Sequence, residues 1–221
     1  MSSLPSHKRA APRRSRGRPV NAMRREEILD VAGKLFLERG YQRTTIDELA
    51  KRLGMSKLTL YSRFADKEAL FSAVIESKCH EYIPANLFAG LEGVPVRDFL
   101  MGVARGLCRL LVSDDATKME RLIMTEGPER TRLAHIFFEA GPLRVKRMIA
   151  SELVRYRNLG ELEFVDATLA TNLFSALIRG SDLCMRRMML GTAAPGGTEV
   201  ENYCQAVVDV FLLAHSPRKS R

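Results

Sequence analysis

The 221-residue sequence predicts an all-α fold of about nine to ten helices. Three observations carry that expectation. Apolar residues recur at helical spacing along most of the chain, the breaks in that pattern fall at proline and glycine, and no segment alternates as a half-buried strand does. A chain of this length can bury a substantial core, in one large domain or two small ones.

The helical period starts at Arg24, where Ile28, Ala32, Leu35 and Phe36 follow the i, i+4, i+7, i+8 pattern and Gly40 supplies a stop. A second helix begins at Thr45, which forms a T-x-x-E capping box with Glu48, and runs through Leu49, Ala50 and Leu53 to Gly54. A short third helix over 57–63 follows Ser56. Asp66 caps a fourth, whose apolar stripe is Leu70, Phe71, Val74 and Ile75. Further helices are predicted over 96–112, 115–126, 129–140, 143–158, 165–190 and 199–215. Their breaks lie at Pro84, Pro95, Pro128, Pro142 and the Ala193–Gly197 stretch, and Thr198 with Glu201 makes a capping box for the last.

Charge is distributed unevenly. The formal net charge is +9, which favours a polyanionic partner without naming one. Residues 1–25 hold eight basic side chains and no acid, and the tail adds Arg218, Lys219 and Arg221. Without these the body keeps 24 basic against 26 acidic residues, so the excess belongs to the ends. Residues 1–22, with prolines at 5, 12 and 19 and no aromatic, read as a disordered basic arm. The arm lacks the apolar stretch of a secretory signal, and its prolines spoil the amphipathic helix of a transit peptide. No apolar run approaches the length needed to span a membrane. The four cysteines are spaced 29, 76 and 20 positions apart, which suits neither a zinc ribbon nor a disulfide scaffold and favours a reducing cytoplasm.

The stretch Thr45–Phe64 carries the chemistry. Two short helices flank a glycine turn, with small Ala50 facing it, as a helix-turn-helix requires. Leu49, Leu53, Met55 and Leu60 would pack the pair, and Gly54 permits the reversal. Residues 51–67 carry Lys51, Arg52, Lys57, Arg63 and Lys67 against Asp66 alone, a net +4. The second helix of such a unit enters the major groove with its N-terminal residues at the base edges.

Residues 24–71 resemble the DNA-binding domain of TetR-family transcriptional regulators. The resemblance rests on Ile28, Ala32, Phe36, Gly40, Tyr41, Thr44, Thr45, Ile46, Leu49, Ala50, Gly54, Ser56, Leu60, Tyr61, Phe64, Lys67 and Leu70. The stretches ERLIMTEGPERTRLAHIFFEAGPLRVKRMIASEL and LIRGSDLCMRRMMLG resemble the ligand domain of the AefR-like subgroup. Four segments are therefore expected: a basic arm over 1–22, a DNA-binding domain over 23–71, an effector-binding and dimerising domain over 72–215, and a basic tail over 216–221.

The resemblance implies particular roles. Thr45 would give a hydroxyl or backbone N–H to a phosphate at a helix start. Ser56 and Lys57 would reach phosphate or base, Lys57 or Arg63 suits a guanine edge, Thr59 suits base or backbone, and Leu58 suits a thymine methyl. Family members often carry glycine where Leu58 stands, which leaves base preference there open. Tyr61 and Lys67 would hold phosphates. Arg16 and Arg18, in the RGRP element of the arm, suit a narrow A·T-rich minor groove, the alternative being a solubilising tail.

The second half offers no catalytic constellation. His135 with Glu139 and Cys79 with His80 fall short of a metal's three or four ligands, so neither metal nor cofactor is expected. Met101, Cys108, Met119, Met124, Phe137 and Phe138 are candidates to wall an apolar effector cavity, as the resemblance implies, or else are ordinary core. Leu173, Leu177, Leu183, Met188, Val207, Val210 and Phe211 correspond to the family's dimerising helices. The reading is a bacterial, nucleoid-associated homodimeric repressor on double-stranded operator DNA. A small apolar effector would release it by displacing the fourth helix, with no part for a membrane. The alternatives are an interaction protein that uses DNA as a platform without an effector, and an enzyme.

Overall fold

The computed structural model describes residues 20–217, which are helical throughout with no strand among them. In chain order the helices are α1 (Val20–Arg39), α2 (Ile46–Leu53), α3 (Lys57–Tyr61), α4 (Lys67–Tyr82), α5 (Val96–Val112), α6 (Asp114–Thr125), α7 (Arg130–Phe138), α8 (Arg144–Asn158), α9 (Ala167–Arg179), α10 (Asp182–Leu190) and α11 (Gly197–His215). Short 3-10 turns occupy Ala85–Phe88 and Gly127–Glu129. The arm's Arg16 and Arg18 and the tail's Arg218, Lys219 and Arg221 lie outside the described residues.

Four sequence expectations about the helices change. The helix predicted over 165–190 is two helices. Gly180 ends α9, and Ser181 restarts the chain by accepting the Cys184 N–H at 3.1 Å. Apolar spacing runs on across that corner, so periodicity alone does not see it. Conversely, Pro142 ends nothing. It sits in a π-helical segment, Glu139–Leu143, that joins α7 to α8 without a break, so the eleven segments make ten helices. The wider π turn accommodates a residue that cannot donate to the ladder. Finally, α11 starts one residue before Thr198, at Gly197, with Gly196 as its cap and no side-chain capping bond. Thr45 does cap α2, but Glu48 turns to Arg39 and Arg52 rather than back to Thr45, so only half of that box forms.

The expected boundary at 71/72 falls inside α4. The first half of α4 packs on α1, where Phe36, Tyr41 and Phe71 make a ring cluster with centroids 5.2–5.6 Å apart. Helix α4 also packs on α5, α7 and the π turn. Buried side chains form one continuous cluster from Ile28 to Phe211, so the N-terminal helices and the body share a core. Helix α5 is its axis, touching α4, α6, α9, α10 and α11. Gly106 allows the closest approach: a Cβ there would stand 2.6 Å from the carbonyl oxygen of Tyr82, so the end of α4 reaches α5 only over a glycine. Phe174 on α9 and Phe211 on α11 pack edge to face at 5.1 Å. Among the described residues no helix is long and apolar enough to cross a membrane.

Candidate nucleic-acid interface and effector cavity

The helix-turn-helix is built by capping and one glycine. Thr45 Oγ1 accepts the Glu48 N–H at 3.2 Å, starting α2. Gly54 ends it in a left-handed conformation (φ 61°), a region costly for any residue with a Cβ. Two residues later Ser56 accepts the Thr59 N–H at 3.1 Å and starts α3, and its hydroxyl also bonds that of Thr59 at 2.8 Å. Leu49, Ala50, Leu53 and Leu60 are buried, which fixes the outer face of α3 by elimination. That face carries Lys57, Leu58 and Tyr61, with Leu58 80% exposed although it is a large apolar side chain. A leucine so placed gains nothing from folding and needs a partner surface to be buried.

Among the remaining sequence candidates, Thr45, Ser56 and Arg63 are exposed and Thr59 is half-buried. Lys57 and Lys67 are each engaged within the chain. The Lys57 ammonium lies 2.5 Å from Asp47 of α2. Lys67 donates to the Gln42 carbonyl at 3.3 Å and stands 4.2 Å above the Tyr41 ring, tying α4 to the turn after α1. A phosphate at either lysine would replace or share these bonds.

The N-terminal unit is fastened to the body through side chains that sequence reasoning missed. Glu126, at the end of α6, accepts the Tyr41 N–H at 2.5 Å across 85 residues of sequence, and Arg132 of α7 pairs with Glu68 of α4. No local pattern announces such contacts.

A cavity of about 170 Å³ opens where the unit meets the body, walled by α1, α4, α5, α6, α7, the π turn, α8 and α9. Of the six expected effector residues, Met119 and Phe137 line it. Met101 and Cys108 are buried elsewhere in the core, whereas Met124 (68% exposed) and Phe138 (46% exposed) face outward and do not belong to it. Most of the wall was not foreseen: Gly33, Lys34 and Leu37 of α1, Val74, Ile75 and Cys79 of α4, and Val145 and Lys146 of α8. Gly141 seats the π turn against α4, since a Cβ there would meet Ile75 Cγ2 at 3.1 Å. Burial pushes the Cys79 thiol up to about 11. Desolvation pulls the Lys78 ammonium down, but hydrogen bonds to Asp115 and Glu81 outweigh it and hold Lys78 above its ordinary value.

Three cysteines far apart in sequence meet in the core. Cys108 of α5 interacts with both Cys184 of α10 and Cys204 of α11. The Cys108 contact lowers the Cys184 thiol below its ordinary value, and the Cys204 thiol as well. Among the described residues no group of His, Cys, Asp and Glu could hold a metal ion.

The dimer candidates also divide. Leu173 and Leu177 on α9 and Val210 on α11 are exposed. Val207 and Phe211 are buried within the chain, as is Leu183, so they serve this chain's core rather than a partner. Met188 is half-buried on α10. The outward apolar side chains beside Leu173, Leu177 and Val210 are Leu169 and Leu213, which were not anticipated.

Known proteins agree with this geometry. Residues 28–74 match the family described as bacterial regulatory proteins, tetR family, and residues 98–217 match the AefR-like transcriptional repressor, C-terminal domain. Among curated relatives, the chain is 42% identical over 64 residues to the HTH-type transcriptional repressor ComR of Escherichia coli (strain K12). It is 38% identical over 79 residues to the HTH-type transcriptional repressor Rv1474c of Mycobacterium tuberculosis (strain ATCC 25618 / H37Rv). These matches cover 29% and 36% of the chain and span only 30% and 42% of the relatives' own lengths. Solved structures match far more completely. The flavonoid-responsive regulator FrrA is 31% identical with a TM-score of 0.70, over 90% of this chain and all of that one. A putative TetR-family transcriptional regulator from Mesorhizobium loti MAFF303099 is 27% identical with a TM-score of 0.69, again over 90% of this chain and all of that one. With the carboxy-terminal match alone covering more than half of the sequence, the chain belongs to the TetR family of transcriptional regulators, with an AefR-like C-terminal domain.

Proposed function

We propose that the chain is a homodimeric, sequence-specific repressor that binds a partly palindromic operator in the bacterial cytoplasm and is released by a small effector in the cavity between α1, α4 and the body. The observation that carries the DNA reading is the outer face of α3. Lys57, Leu58 and Tyr61 stand outward there, the first two at the N-terminus and Tyr61 at the C-terminus of a helix packed on α2. Thr45, Ser56, Thr59, Arg63 and Lys67 surround that face as phosphate or base contacts, and Arg16 and Arg18 would extend it into the minor groove.

Dimerisation follows from the size of the reading head. A five-residue recognition helix contacts too few bases to select a site, whereas a two-fold pair reads half-sites about 34–36 Å apart. Leu169, Leu173 and Leu177 of α9, with Val210 and Leu213 of α11, supply an exposed apolar face for the second copy. Effector release is supported by the cavity's position, because α1 and α4 are themselves part of its wall. A coupling of about 1–3 kcal/mol between cavity and DNA would give roughly 5–150-fold derepression.

The experiment is a competition assay by fluorescence anisotropy, setting fragments from the chain's own genomic neighbourhood against random duplex. Preference for one fragment, with affinity falling steeply as salt rises, is the expected result. Equal affinity for all duplexes would overturn the repressor reading. Removing residues 1–19 tests the arm: unchanged affinity and unchanged salt slope would eliminate the minor-groove role.

A further inference from the structure

The cavity wall is largely apolar, and one of its cations stands without an acid partner among the described residues. Leu107 and Leu111 of α5, Met119, Phe137, Ile75 and Val145 make the apolar part. Three of the four cations in the wall are paired with acids of the same wall. Lys34 lies 2.8 Å from Asp30, Lys78 lies 2.9 Å from Asp115, and Arg179 lies 2.9 Å from Glu120. The fourth, Lys146 of α8, is half-buried and has no acid partner among the described residues. The wall's own side chains number four cations and three acids, and although Glu81 just outside the wall also reaches Lys78 at 3.2 Å, no described acid reaches Lys146. The protonated Cys79 thiol adds no charge to offset it.

An unpartnered ammonium on a half-buried side chain beside an apolar surface gains most from an anion that enters with an apolar guest, because attraction strengthens as the site is desolvated. A neutral apolar guest would bury the same surface and leave the charge less hydrated than before. The size of the space limits the rest. An apolar cavity of roughly 150 Å³ takes up a single benzene ring, so about 170 Å³ suits one ring or a short alkyl chain together with its head group.

Resting on the effector reading above, the structure assigns a ligand class: we propose that the cavity binds a small amphipathic carboxylate, its apolar body among Leu107, Leu111, Met119 and Phe137 and its carboxylate paired with the Lys146 ammonium. Such a molecule would touch α1 and α4 on one side and the π turn and α8 on the other. The charged contact, on α8, then supplies selectivity, and the apolar contact with Leu37, Val74 and Ile75 reaches the helices that carry the reading head. The cavity therefore discriminates by charge at α8 and reports occupancy at α1 and α4.

The test uses the full-length protein and matched probes: 3-phenylpropanoate and hexanoate against their primary amides, titrated by isothermal calorimetry. Carboxylate and amide share size and apolar body, so their difference isolates the charge. Each carboxylate is expected to bind about tenfold more tightly than its amide, the scale of one charge-assisted hydrogen bond. Lys146→Met should erase that preference and Lys146→Arg should keep it, with melting curves confirming that both variants fold. Lys118→Met, an exposed α6 lysine that does not line this cavity, should retain it. Equal binding of acid and amide, binding of neither series, or a preference that survives Lys146→Met would each overturn the proposal. The two readings fail separately. Release of DNA by an uncharged flavonoid, equally in wild type and Lys146→Met, would keep the effector and remove the carboxylate. Lys146-dependent carboxylate binding that leaves DNA occupancy unchanged would do the opposite.

Discussion

The hydrogen bond from Tyr41 N–H to Glu126 can be weighed directly, because it joins the N-terminal unit to the body through one backbone donor and one carboxylate. Glu126→Ala removes the acceptor and leaves a part-buried N–H with nothing in its place. A hydrogen bond to a charged group contributes about 1.5–3 kcal/mol net. Glu126 is only half-buried at the surface end of α6, so the lower end, roughly 1.5 kcal/mol, applies. At 2–4 °C per kcal/mol for a chain of this size, Tm should fall by about 3–6 °C. Exchange of the Tyr41 amide should quicken about tenfold if it proceeds by local opening of that contact. Glu126→Gln, which keeps a neutral oxygen acceptor, should lose about half as much. The assay is native-state hydrogen exchange on the three proteins beside their thermal melts. If Glu126→Ala melts with the wild type and its Tyr41 amide exchanges at the wild-type rate, the contact does not fasten the unit to the body and the reasoning fails.

Other consequences are as specific. Asp47→Asn frees the Lys57 ammonium and removes an acid from the DNA side, so affinity for any duplex should rise by a few-fold at low salt, the scale of an exposed ion pair of about 0.2–1 kcal/mol; an anisotropy titration showing no gain would count against Lys57 as a DNA contact. The Cys79 thiol is raised from its ordinary 9.0 to about 11 by burial, so the folded protein holds that proton more tightly than the unfolded chain does. The stability it adds is full below pH 9 and is lost between pH 9 and 11. Urea melts should therefore show wild type losing about 2–3 kcal/mol relative to Cys79→Ala over that range, and parallel curves would refute the assignment. Leu173→Glu with Val210→Glu places charges on the exposed face of α9 and α11 without touching the core, so light scattering should report a monomer that keeps its helical content; a persisting dimer would place the interface elsewhere.

The DNA-binding end is legible because its signals are local. A T-x-x-E start, a glycine needing a left-handed turn, a serine three residues before the threonine whose N–H it accepts, and the buried spacing of Leu49, Leu53 and Leu60 all act within about one helical turn of themselves. The structure returns them in place, except that Glu48 pairs with Arg39 and Arg52 instead of closing the capping box. The corner at Gly180–Ser181 and the π turn at Pro142 were misjudged for one reason. Apolar periodicity records which residues are buried, and burial continues across a bend when both arms pack on the same core.

What the sequence alone determined, then, is the class of fold, the reading head and the placement of basic charge at the ends of the chain. Those properties depend on residues within a few positions of one another, or on composition. Tertiary structure decided the cavity, the fastening of the reading head and which apolar residues remain for a second copy. The cavity wall draws on side chains from Asp30 to Arg179, and Lys146 stands there without an acid while Lys34 finds one on its own helix and Lys78 and Arg179 find theirs on α6. Phe211 and Val210 are adjacent in sequence and alike in hydrophobicity, yet one is buried against Phe174 and the other faces outward. A helix turns each successive residue by about 100°, and only the neighbouring helices determine which direction is inward.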